Sequence, residues 1–127
     1  MVIKRFIVTS SVVAALLAAG TAQSHPRLIS STPRANSSVA ATNRVALTFS
    51  EKLLAPMSGG DIIMTTRPGT RQAPVKVAGF KPSIGGNGKT LELIGARTLT
   101  KGSYQVRWHA VAADTHRVAG VLPFQVR

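Results

Sequence analysis

Three histidines, four carboxylates, three methionines and no cysteine make up this chain's supply of side-chain metal ligands and acid–base groups beyond lysine and tyrosine. The histidines are His25, His109 and His116, and the acids are Glu51, Asp61, Glu92 and Asp114. His116 closes the run Ala112-Ala113-Asp114-Thr115-His116, a polar step between two apolar segments. In an extended chain residues i and i+2 point the same way, so Asp114 and His116 can reach one ion from one strand end. Taken alone this D-x-H spacing is weak, and a turn aspartate with an incidental histidine is the simpler reading. His109 shares a strand face with Arg107 and reads as a solvated surface histidine. His25 differs from both, because of what precedes it.

Met1 to Ser24 has the three parts of a secretory leader. Lys4 and Arg5 provide a positive start, Phe6 to Ala19 is a 14-residue uncharged stretch, and Ala22-Gln23-Ser24 places small residues at −3 and −1 of a cleavage site. A spanning helix needs roughly 20 apolar residues, so the run is too short to serve as a permanent anchor. Residues 1–24 are therefore expected to be removed on export, and residues 25–127 to form the mature domain with His25 at its N-terminus.

A free N-terminal histidine carries a primary amine and an imidazole Nδ1 on one residue, and together they close a six-membered chelate ring. Both must be unprotonated to bind. Cu(II) is a strong enough Lewis acid to drive this near neutral pH, and it favours tetragonal nitrogen and oxygen donors. Pro26 has no N–H, which blocks the alternative in which copper deprotonates the next backbone amide. With His116 as a further nitrogen and Asp114 as a carboxylate, the set fits one Cu(II) ion. The lack of cysteine excludes thiolate zinc sites and disulfides alike.

The elements that must position these residues are strands. Val45-Ala46-Leu47-Thr48-Phe49 alternates with period two, and Leu28-Ile29, Asp61 to Thr66, Val75 to Phe80, Thr90 to Ile94, Tyr104 to Val111 and Val118 to Val126 are further candidates. Turn signals separate them at Ser58-Gly59-Gly60, Arg67-Pro68-Gly69, Gly85-Gly86-Asn87-Gly88 and Lys101-Gly102. No window sustains a helical period. Removing 24 of 127 residues leaves 103, enough for one domain with one core. About seven strands in that length predict an all-β, antiparallel Greek-key sandwich or barrel of immunoglobulin-like form. Tyr104, Val106, Trp108 and Ala110 are assigned to its core, with Gln105, Arg107 and His109 facing out.

Of 16 basic residues two lie in the leader, leaving 14 against 4 acidic ones and a formal charge of +10. The arginines and lysines are scattered, and aromatic residues are only 5% of the chain, too few for a base-stacking platform. No nucleic-acid partner is expected. The charge reads as a solvated surface, one that would attract anionic lipid headgroups or an acidic partner. A monomer is expected.

Four blocks in order resemble the periplasmic copper-resistance CopC family: His25-Pro26-Arg27-Leu28-Ile29-Ser30-Ser31-Thr32-Pro33, Leu47-Thr48-Phe49-Ser50-Glu51, Tyr104-Gln105-Val106-Arg107-Trp108 and Asp114-Thr115-His116. The resemblance spans the whole mature chain and implies a seven-stranded Greek-key fold, a periplasmic location and copper binding. It implies His25, Asp114 and His116 as Cu(II) ligands, with Glu51 close by and orienting one of them. It also implies delivery of copper to a CopD-type inner-membrane transporter. One departure stands out. Where several family members carry a Met-rich loop with a histidine for Cu(I), Met64 to Val75 here holds Arg67, Thr70, Gln72 and Val75 at the methionine and histidine positions. Met64 remains, as a candidate core residue, and a Cu(II)-only protein is expected.

Two other readings stand beside this one. A histidine brace on a β-sandwich is also the site of lytic polysaccharide monooxygenases, but those need open coordination positions and an extended substrate surface, and no enzyme is expected here. A metal-free immunoglobulin-like adhesion or assembly module would have no use for a histidine at the cleavage site.

Overall fold

The structure is a computed structural model that describes residues 25–127; the leader expected at residues 1–24 lies outside the described residues. Among the described residues nine strands form two sheets. One holds β1 (Leu28–Thr32), β3 (Arg44–Phe49), β7 (Thr90–Gly95) and β6 (Phe80–Gly85), in that order. The other holds β2 (Ser38–Val39), β9 (Arg117–Val126), β8 (Gly102–Val111), β4 (Gly59–Thr66) and β5 (Val75–Lys76). All pairings are antiparallel except β2 with β9. The expected antiparallel sandwich is the fold observed.

The core lies between the sheets and follows from alternation. On β8 the side chains of Tyr104, Val106, Trp108 and Ala110 are buried, while Arg107 is exposed and Gln105 and His109 are half-buried. Val45, Leu47 and Phe49 of β3 and Leu91 and Leu93 of β7 come from the facing sheet and are fully buried. Phe49 meets Trp108 edge-on at a centroid distance of 5.0 Å, a favoured aromatic geometry. Trp108 is paired in register with Gly60 on one side and Gly120 on the other. A Cβ at Gly120 would lie 2.4 Å from Cζ2 of the indole, so only glycine lets the ring lie there.

Two expectations need correction. Val75 to Phe80 is not one strand: Val75–Lys76 pairs with β4 in one sheet, and Phe80 begins β6 in the other. Gly79, at φ +86°, takes the left-handed conformation at the crossing, which glycine adopts without Cβ strain. Ser38–Val39 was not anticipated as a strand. It is held by three backbone bonds, from Asn36 to Pro123, from Gln125 to Ser37 and from Arg127 to Val39. Two residues are too few to show a period.

Candidate metal centre

The site is built on the β8–β9 hairpin. Val111 ends β8 and is anchored twice: the Leu54 N–H donates to its carbonyl at 2.8 Å, and its own N–H donates to the buried hydroxyl of Ser58 at 3.0 Å. The chain then turns through Ala112–Thr115, closed by the Thr115 N–H donating to the Ala112 carbonyl at 2.9 Å. Thr115 has φ 63°, a left-handed conformation that a β-branched residue rarely adopts. Asp114 Oδ1 accepts the His116 backbone N–H at 3.1 Å, the two-residue side-chain turn typical of aspartate. Asp114 and His116 therefore meet through a tight turn and not through the extended i, i+2 geometry read from sequence.

His25 reaches them from the other end of the chain. Pro26 is among the most completely buried side chains, so it plugs the residue before β1 into the protein. Arg27 locks that entry: its N–H donates to the Ser50 hydroxyl at 2.9 Å and its carbonyl accepts the Ser50 N–H at 2.9 Å. Antiparallel pairing of β1 with β3 continues the registration from Leu28 opposite Phe49.

The three side chains converge. His25 Nδ1 lies 2.8 Å from Asp114 Oδ2, and His116 Nδ1 lies 3.5 Å from the same oxygen. The two imidazoles stand edge to face with centroids 5.0 Å apart. One donor atom from each of the three residues lies within 4.8 Å of the other two, and no other such cluster occurs among the described residues. The rings remain largely open to solvent while the carboxylate is only 6% exposed. Burial alone would push the Asp114 carboxyl up. The His116 backbone N–H and the His25 and His116 rings outweigh it and hold the pKa below the ordinary aspartate value. A buried carboxylate facing two accessible imidazole nitrogens is an open nitrogen–oxygen donor set, the kind that suits borderline divalent transition metals.

The other sequence candidates fall into place around it. Glu51 follows Ser50 and so lies at the same end of the sandwich, but it is not among the converging donors. His109 is on the outward face as expected, yet its ring packs over Gly59, where a Cβ would stand 3.4 Å from Cε1. Burial and the charge of Arg117 lower its pKa, with Asp61 opposing them. Met64 is buried, and its sulfur accepts a bond from the Gln72 amide at 3.9 Å. Sequence reasoning missed the anchoring by Ser50 and Ser58, for which lone serines offer no signal, and took from Pro26 only its lack of an N–H.

Residues 28–127 match the model of the CopC domain. The chain belongs to the CopC family. It is 39% identical to copper resistance protein C of Pseudomonas syringae pv. tomato over the full length of both chains. To copper resistance protein C of Escherichia coli it is 39% identical over 84% of each chain. Among solved structures, PcoC of Escherichia coli, described as a methionine-rich copper resistance protein, superposes with a TM-score of 0.75 at 38% identity. That match covers 82% of this chain and all of PcoC. CopC of Methylosinus trichosporium gives 0.64 at 28% identity, covering 80% of this chain and 93% of its own. Unlike the methionine-rich PcoC, this CopC-family chain has only three methionines, one of them Met1.

Proposed function

We propose that the protein is exported to the periplasm, loses residues 1–24, and binds one Cu(II) ion through the His25 amine and imidazole, His116 Nδ1 and Asp114. The observation that carries this reading is the convergence of His25, Asp114 and His116 from opposite ends of the chain within 4.8 Å. Membership of a copper-resistance family supports copper as the cargo. The geometry supports a preorganised site: Asp114 holds both Nδ1 atoms toward one point, so little ordering would remain for an entering ion. Glu51, the neighbour of the Ser50 that bonds Arg27, is the carboxylate we assign to steadying the N-terminal ligand. With no methionine cluster, the protein carries Cu(II) alone, as a carrier that passes copper to a CopD-type inner-membrane transporter and not as an enzyme.

The test is processing. Competition titration should give tight binding of one Cu(II) for protein starting at His25, and far weaker binding for protein that retains Ser24. The extra residue converts the chelating amine into an amide. Equal affinities for the two would overturn the brace.

A further inference from the structure

At the end of the sandwich remote from His25 lies a cavity of about 480 Å³. Tyr104, near the start of β8, lines it, whereas the candidate metal hairpin follows Val111. Seven residues of extended strand separate these points, about 23 Å at ~3.3 Å per residue. The cavity and the metal centre are thus separate features of the molecule.

The floor is apolar and comes from the core: Met64, Leu99 and Tyr104 are all less than 10% exposed, yet they line the opening. Phe80 and the half-exposed Val75 make the walls. The mouth is cationic. Arg67, Lys76 and Arg97 line it, and no aspartate or glutamate does. Lys76 is engaged with Asp61 at 3.1 Å. The chain's other acids are committed elsewhere: Glu92 to Arg44, Asp114 to the histidines, and Glu51 at the opposite end. Arg67 and Arg97 join no ion pair among the described residues.

An apolar chamber in the usual size range for small ligands, rimmed by two uncompensated guanidinium groups, has a definite chemical complement. The geometry points to a binding site for an amphipathic monocarboxylate, a carboxylate on an unbranched tail of about eight to ten carbons. The tail covers Leu99 and Tyr104, and the carboxylate takes paired N–H bonds from Arg67 or Arg97, the fork geometry that arginine offers and lysine does not. Nothing in this site uses copper.

Titration of isotopically labelled protein, produced from the full chain, with decanoate followed by NMR tests the inference. Decanoate should shift Arg67, Arg97, Leu99 and Tyr104 and leave His25 and His116 unmoved, with affinity rising roughly two- to fourfold per methylene from octanoate to decanoate. Acetate, which has the charge but no tail, and decanol, which has the tail but no charge, should each bind at least tenfold more weakly. The exposed pair Arg67→Gln and Arg97→Gln together should reduce decanoate affinity about tenfold while leaving the backbone spectrum of the core unchanged. One equivalent of Cu(II) should not alter the decanoate affinity. Shifts absent from the cavity, decanol matching decanoate, or a double variant that binds like the parent would each overturn the site.

Discussion

His25 Nδ1 and Asp114 Oδ2 lie 2.8 Å apart although 89 residues separate them in the chain. Neither residue finds the other locally. His25 is placed by the buried Pro26 and the Arg27–Ser50 bonds, and Asp114 by a hairpin anchored on Leu54 and Ser58. The same carboxylate oxygen faces His116. Asp114 thus turns both rings toward one point, and its buried carboxylate is held there by the His116 backbone N–H and the two facing imidazole nitrogens.

Substitutions should grade by what each side chain supplies. His25→Ala and His116→Ala should abolish or strongly weaken Cu(II) binding, since each removes one nitrogen from a small set. Asp114→Ala should weaken it less, because water can replace a carboxylate oxygen. Glu51→Ala should cost roughly 10–100-fold if it orients a ligand. His109→Ala should change nothing, and competition titrations in which it matched His116→Ala would contradict the face assignment on β8.

His109 should titrate below an ordinary histidine. Burial and Arg117 disfavour its charged form, so in the fold it stays neutral to lower pH than in the unfolded chain. The sign follows. Below the unfolded value of about 6.5 the unfolded state takes up the proton first. The stability due to neutral His109 is therefore full above that pH and is lost as pH falls through the folded value. Ring resonances of the copper-free protein should give a midpoint under 6.5, and His109→Gln should flatten this part of the stability–pH curve.

Gly120→Ala should destabilise the fold without touching the metal centre. The new Cβ would sit 2.4 Å from the Trp108 ring, which also packs edge-on against Phe49. Overpacking of this kind costs about 1–3 kcal/mol. Thermal unfolding should show a Tm lowered by several degrees and a red-shifted tryptophan emission, and an unchanged Tm would mean that the indole has another place to go.

Reduction should not reveal a sulfur site. Beyond Met1 the chain keeps Met57 and Met64, and Met64 is buried with its sulfur bonded to Gln72. X-ray absorption on the reduced, one-copper protein should show a nitrogen and oxygen shell. Two or more sulfur scatterers would refute a Cu(II)-only protein and restore a second, thioether site.

Much of this was legible in the residues. Period-two alternation on Val45–Phe49 and Tyr104–Val111 named the buried faces correctly, because a strand exposes alternate side chains whatever it pairs with. The leader reading and ligand chemistry together singled out His25, Asp114 and His116 as candidates, since the chain has so few ligating groups to choose from. Local sequence could not place the crossing at Gly79, where one apolar run is divided between two sheets, nor the pairing of Ser38–Val39 with β9. Both depend on which distant strand lies alongside. The turn at Asp114 was misjudged for a related reason: its shape depends on Thr115 taking a left-handed conformation, which the surrounding hairpin imposes against the residue's own preference. The site itself belongs to the tertiary structure. Residue types set which ion the donors suit, whereas their common focus exists only because β1 on β3 and β8 on β9 carry both ends of the chain to one end of the sandwich.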